Sequence, residues 1–299
     1  MSIVSVLPYW LVDEYRNPGI NTDAGYIALD QYLCQTPENG GNDNCAALIQ
    51  SLRVKKDQGT GPKLQDMFSD SRLDILLKGQ GRPEDFATIW NFMIRNKDHL
   101  KKINVDVRGR RPKSGNIGEI QKSGNIYDLY FKGKSDAEAI KQMIKDRFFG
   151  IDCIGFVANF MIYAGLWDKY KGANPNKWDN WHFTKEVKKA RDIEPLNILL
   201  WSGHIAIVDW VWEYIDDKTV KVDICQSSSG EVTGPQCNER VLIQEMSSNV
   251  KIYNKKDDPD EDEPQEYRKT FKILHAGSPR MPVDGHVYIM KRKNLELHV

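Results

Sequence analysis

Of the side chains that can make or break covalent bonds, five cysteines and six histidines are few enough to sort one by one. Cys153 opens an apolar run, Ile151-Asp152-Cys153-Ile154-Gly155-Phe156-Val157, directly after Gly150. Ile154, Val157, Phe160, Met161 and Ala164 keep a 3.6-residue period as far as Gly165, so the spacing predicts a helix with Cys153 in its first turn. A cysteine attacks as the thiolate, and the unpaired N–H groups and macrodipole at a helix start favour negative charge there. The same N–H groups can receive the oxyanion of a tetrahedral intermediate. On position alone a single cysteine in an apolar helix is more often a small buried hydrophobe, so a nucleophile reading needs a base.

Two histidines head strand-like runs. His204 begins His204 to Trp212, and His286 lies in Gly285-His286-Val287-Tyr288-Ile289-Met290. Chain order favours His204, because a third polar residue can follow it on a later strand whereas almost nothing follows His286. His182, in Trp178-Asp179-Asn180-Trp181-His182-Phe183, reads as a partly buried surface residue, and His99, His275 and His298 have no constellation. No Cys/His pair occurs at the two-to-four-residue spacing of zinc ligands, so neither a metal site nor a cofactor is expected. The acidic run Lys255 to Pro264 lacks the spacing and glycine of a calcium loop and reads as solvated.

The elements that must position these residues fall into two stretches, taken as a mainly helical region over 1–133 and a second domain over 134–299. In the first, apolar residues recur at helical spacing from about Asp23 to Leu100, as in Phe86, Ile89, Trp90, Met93 and Ile94. Between Val105 and Gly133, Ser-Gly-Asn-Ile occurs at Ser114 to Ile117 and again at Ser123 to Ile126, read as two similar turns in a connecting segment. Ser135 and Glu138 make an S-x-x-E capping box, so a helix begins there, with Ile140, Met143 and Ile144 on one face and an end near Gly150. Beyond the cysteine helix the period drops to about 2 at Ile198 to Trp201, His204 to Trp212, Thr219 to Gln226 and His286 to Lys291, as in antiparallel strands. The fold class expected is α+β.

Three motifs give this order a meaning. Asp152-Cys153-Ile154-Gly155-Phe156-Val157 resembles the Asp-Cys-Ser-Gly-Phe-Val nucleophile motif of NlpC-type cysteine peptidases, relatives of the CHAP amidohydrolases. Ser202-Gly203-His204-Ile205-Ala206-Ile207-Val208 resembles the Gly-His-Val-Ala-Ile-Val strand that carries the family's base, and Ile224 to Gly230 the segment that holds a third, orienting polar residue. The resemblance covers roughly residues 145 to 232. It departs from the family at Ile154, where the family has serine, and at Leu196-Asn197, where a Gly-Asp turn is usual. It implies a papain-like helix packed on an antiparallel sheet, with Cys153 as nucleophile and His204 as base. Gln226 is the third member that aligns best, with an amide able to accept from the imidazole N–H; Asp223 and Asp209 are the alternatives.

The implied activity is cleavage of amide bonds through a thioester acyl-enzyme, by an amidase or endopeptidase acting on peptides or on peptidoglycan stems. Two other readings share the fold: a protein deamidase, transglutaminase-like enzyme or acyltransferase toxin with the same Cys-His site, and an inactive binding module. Six of the eight tryptophans fall between Trp167 and Trp212, where an aromatic wall would suit a peptide or glycopeptide. Forty-two basic residues balance forty-two acidic ones, which removes the electrostatic footprint of a nucleic-acid binder. No window has the apolar length of a membrane span, and the first residues lack the basic n-region of a Sec signal. A wall-degrading enzyme with those features would leave by a non-Sec route to a periplasm or target cell, as phage lysins and antibacterial effectors do, with an immunity or delivery protein as partner. Cys34 with Cys45, and Cys225 with Cys237, each flank a short polar loop. In an oxidising compartment the two pairs would close as disulfides and leave Cys153 free; in a reducing cytosol all five remain thiols.

Overall fold

A computed structural model of the chain describes residues 6–32, 43–53, 63–108, 121–167, 185–201, 204–229, 233–252, 266–275 and 287–291. Helices accompany an antiparallel sheet, so the class is α+β. The chain forms two compact units that are interleaved along the sequence. A helical unit takes 12–159 and 227–235, and a sheet unit takes 1–11, 160–226 and 236–299. The chain passes between the units at 11/12, 159/160, 226/227 and 235/236.

Helix α1 (Pro8–Arg16) starts in the sheet unit and ends in the helical one, where α2 (Asp43–Leu52), α3 (Asp70–Leu77), α4 (Pro83–Arg95) and α5 (Lys97–Leu100) precede the hairpin of β1 (Asn104–Arg108) and β2 (Gln121–Asn125). Pro83 starts α4 where its missing N–H costs nothing, and the Asp85 carboxylate accepts from the Arg82 N–H at 2.6 Å. Phe86, Ile89, Trp90 and Met93 are buried as their period requires, while Ile94 lies on the half-buried flank. The second Ser-Gly-Asn-Ile copy is not a turn. Ser123, Gly124 and Asn125 belong to β2 and pair antiparallel with Asp106, Val105 and Asn104; the first copy lies outside the described residues.

Helix α6 (Asp136–Lys145) is capped as its sequence requires: Ser135 Oγ accepts from the Glu138 N–H at 3.2 Å, and the Glu138 carboxylate accepts from the Ser135 N–H at 2.8 Å. It stops five residues short of Gly150. Arg147 takes the left-handed conformation, with φ 63°, and the Phe148 N–H returns to the Met143 carbonyl at 3.0 Å. The turn sends Phe148 and Phe149 into the core, against Tyr130 and Phe86 respectively. Helix α7 then runs from Cys153 to Tyr163, and Gly165, at φ 67°, follows its end.

The sheet unit holds seven strands in the order β3-β9-β4-β5-β6-β7-β8. These are β3 (Lys185–Glu186), β4 (Ile198–Trp201), β5 (His204–Asp216), β6 (Thr219–Ser229), β7 (Thr233–Ile252), β8 (Glu266–His275) and β9 (Tyr288–Lys291). Reciprocal backbone bonds between Phe271 and Val287, at 2.8 and 3.1 Å, bring β8 back beside the residue that precedes β9, so the sheet curls round on itself. Alternation sends Leu199, Ala206, Val208, Val222, Ile224, Val241, Ile243, Phe271, Ile273 and Ile289 into one buried cluster. Strand β5 shifts register after Val208, which lets its outer half leave the core and expose Trp212 and Tyr214.

Candidate functional site

Cys153 belongs to the helical unit, and His204 and Gln226 to the sheet unit. Cys153 is the first residue of α7 and is buried, 3% exposed. Asp152 is the helix cap: its carbonyl accepts from the Phe156 N–H at 3.1 Å, and its Oδ1 accepts from the Gly155 N–H. Its other oxygen accepts from Gln80 Nε2 at 3.3 Å, and its own N–H donates to the Gly79 carbonyl at 2.7 Å. Burial pushes the Asp152 carboxyl up to about 8, against the pull of the Gly155, Gln80 and Ile154 donors. The N–H groups of Ile154 and Gly155 therefore serve the cap, so an oxyanion would not find the whole first turn open as the sequence suggests.

Gly155 has a packing reason to be glycine. A Cβ there would meet the Gln80 Cα and the Gly79 carbonyl oxygen at 2.6 Å. The Gly79-Gln80 segment crosses the first turn of α7 that closely because it caps and braces Asp152. Tyr32 lies beside the cysteine, bridged in parallel to Ile151, and its hydroxyl donates to Cys153 Sγ at 3.9 Å. Ser227, buried, donates to the Ile151 carbonyl at 2.7 Å.

In the sheet unit, His204 opens β5 and Gln226 lies on β6, both on the face that carries Ala206, Val208 and Ile224. The imidazole Nε2 lies 2.7 Å from Gln226 Oε1, and Gln226 Nε2 donates to Asn238 Oδ1 at 2.7 Å. Because the Gln226 amide gives its N–H to Asn238, its oxygen faces the ring, and the neutral imidazole must carry its proton on Nε2. Nδ1 is left with the lone pair. The Trp201 ring packs on the imidazole at a centroid distance of 4.6 Å. Burial outweighs the bond to Gln226 and pushes His204 down to about 4, so the ring is neutral at physiological pH.

The alternatives for the third residue are engaged elsewhere. Asp223 accepts from the Arg240 N–H and Asp209 from the Tyr9 N–H, each at 2.6 Å. His182, His286 and His298 lie outside the described residues, as does the acidic run 255–264. Cys45, Cys153, Cys225 and Cys237 are thiols and not members of a disulfide; Cys34 is not among the described residues. Cys45 is buried in α2 and donates to the Leu76 carbonyl at 3.9 Å, and burial pushes it to about 12. Of the tryptophans expected to line a cleft, Trp201 packs on His204 and Trp212 is exposed under the Arg240 guanidinium; Trp178 and Trp181 are outside the described residues.

Sequence reading misses Tyr32, Gln80 and Asn238, each of which reaches its place through pairing distant in the chain. Asn238 alone leaves a trace: Cys237-Asn238 echoes Cys225-Gln226, a cysteine followed by an amide, on two strands that lie side by side. No helix among the described residues is long and apolar enough to cross a membrane. Comparison with protein-family models, characterised proteins and solved structures returns no match.

Proposed function

We propose that the chain is a papain-like cysteine hydrolase of amide bonds, with Cys153 as nucleophile, His204 as base and Gln226 as the residue that orients the base. The observation that carries this reading is the bond between His204 Nε2 and Gln226 Oε1, itself anchored by Asn238, which leaves Nδ1 as the proton acceptor. Because His204 is neutral at rest, the resting pair is thiol and imidazole. The thiol proton passes to Nδ1 as sulfur bonds the substrate carbonyl carbon. The imidazolium returns that proton to the leaving nitrogen, the C–N bond breaks and a thioester remains. Water, deprotonated by Nδ1, then releases the acid and restores the thiol. Throughout, Nε2–H stays on Gln226.

The substrate class follows from the motif resemblance: a peptide, and first a peptidoglycan stem peptide. Digestion of purified sacculi, with mass analysis of the released fragments, tests it. Wild-type protein is expected to cut within the stems, and Cys153→Ala and His204→Ala to leave them intact. Intact sacculi alongside a Cys153 that reacts with a thiol probe would move the substrate to proteins. A Cys153 inert to the probe would remove the nucleophile.

A further inference from the structure

On the face of the sheet opposite His204 and Gln226, three neighbouring strands bring Asp209 of β5, Cys225 of β6 and Cys237 of β7 together, with one ligand atom from each lying within 4.8 Å of the others. Asp209 and Cys225 are buried and Cys237 is partly exposed, which leaves a side from which an ion can enter. The Tyr9 N–H holds one oxygen of Asp209, fixing the carboxylate. Asp223, two residues before Cys225 on the same face, adds a second carboxylate close enough to act on both Asp209 and Cys225. Two sulfurs and a carboxylate that converge on one point offer a donor set of the kind that thiophilic metal ions take.

We propose that Asp209, Cys225 and Cys237 bind a divalent, thiophilic metal ion, zinc being the best match. Two sulfurs with one carboxylate select a borderline-soft cation over magnesium or calcium, and zinc takes three protein ligands with water in the fourth position. Around zinc, ligand atoms about 2.0–2.3 Å from the ion lie roughly 3.5–4 Å apart, so the cluster needs only a small contraction. Binding replaces both thiol protons, which leave to solvent. The ion would brace β6 and β7 at the residues that immediately precede Gln226 and Asn238, the two amides in line behind His204. Metal binding itself does not depend on the hydrolase reading.

The test is a metal titration of the full chain in reducing buffer, in a Cys153→Ala background so that the proposed nucleophile cannot contribute. One equivalent of zinc is expected to be withdrawn from a chromophoric chelator, and cobalt(II) to give the charge-transfer absorption of thiolate coordination. Cys225→Ser and Cys237→Ser should each weaken binding by more than the ~10- to 100-fold that loss of an outer-shell partner costs, and Asp209→Asn should weaken it as well. In the chain with all three ligands, zinc should slow alkylation of Cys225 and Cys237 and leave Cys45 unchanged, a readout that does not rely on the ligand variants folding. Absence of stoichiometric binding, binding that survives Cys225→Ser, or recovery of Cys225 and Cys237 as a disulfide from reduced protein would each overturn the proposal. Because no step reads hydrolysis, its failure is distinct from failure of the catalytic assignment.

Discussion

The bond that Gln226 accepts from His204 decides which imidazole nitrogen can act, so it is the place to press the proposed chemistry. Cys153→Ala and His204→Ala should each abolish hydrolysis, and the double variant should be no worse than either, because the pair acts as a unit. Gln226→Ala should be milder, a loss of ~10- to 1000-fold, since it frees the ring without removing the base. With His204 pushed down to about 4, the base stays unprotonated in mildly acid solution, and the acid limb of kcat/KM should lie near pH 4. Gln226→Glu, which sets a carboxylate against the ring, should move that limb to higher pH. The same shift acts on stability. The unfolded chain takes up a proton near 6.5 that the folded ring refuses, so stability falls as pH drops from about 6.5 towards 4 and is unaffected by this group above that window. Thermal unfolding of wild type and His204→Gln across that range checks it, the variant showing the flatter profile. Tyr32→Phe removes the hydroxyl that donates to Cys153 Sγ, and thiol alkylation at neutral pH should slow by about 2- to 10-fold, the range that one hydrogen bond of about 0.5–1.5 kcal/mol allows.

At the scale of the element, the start of α7 is held by a buried carboxyl and a glycine that admits the chain crossing it. Gly155→Ala must displace backbone at Gly79 and Gln80 and should destabilise the fold by about 1–3 kcal/mol, read as a lower denaturant midpoint. Asp152 has the opposite sign to the usual carboxylate. Its folded value, about 8, lies above the value near 3.9 of an unfolded aspartate, so its contribution is whole below about pH 4 and is lost as pH rises through about 8. Asp152→Asn keeps an oxygen for the Gly155 N–H and removes the charge. Its stability should vary less between pH 4 and 8 than that of wild type, measured by chemical denaturation across that range; a profile as steep as wild type would mean that Asp152 does not titrate there.

For the whole molecule, the interleaving of the units makes a cut at the middle of the chain costly. Residues 134–299 alone would lack Tyr9, which bonds Asp209, and Trp10, which packs on Tyr163, both in the sheet unit. They would also lose most of the helical unit to which residues 134–159 belong. That fragment is expected to show no cooperative thermal transition by circular dichroism, whereas the full chain does. Closure of the sheet depends on Phe271, fully buried and paired with Val287. Phe271→Ala should cost about 3–5 kcal/mol, seen as a fall in the denaturant midpoint.

The amino-acid sequence by itself determined the parts whose rules are local. The Ser135–Glu138 box and the stripe of Ile140, Met143 and Ile144 specify α6, and the apolar period after Cys153 specifies α7, because capping and a 3.6-residue repeat involve only residues within a few positions. Alternation likewise makes β4, β5, β6 and β9 legible. Strands β7 and β8 escape because their alternating stretches are short: Val241 and Ile243 in one, Phe271 and Ile273 in the other, within runs otherwise rich in polar and charged residues. Strand β2 reads as a turn, Ser-Gly-Asn, and is a strand only because β1 pairs with it. Tertiary structure alone decided that Asn238 stands behind Gln226, that Gln80 braces Asp152, and that Cys225 and Cys237 meet Asp209. Each such meeting is set by the pairing register of strands or the docking of segments far apart in the chain, which no short window of residues encodes.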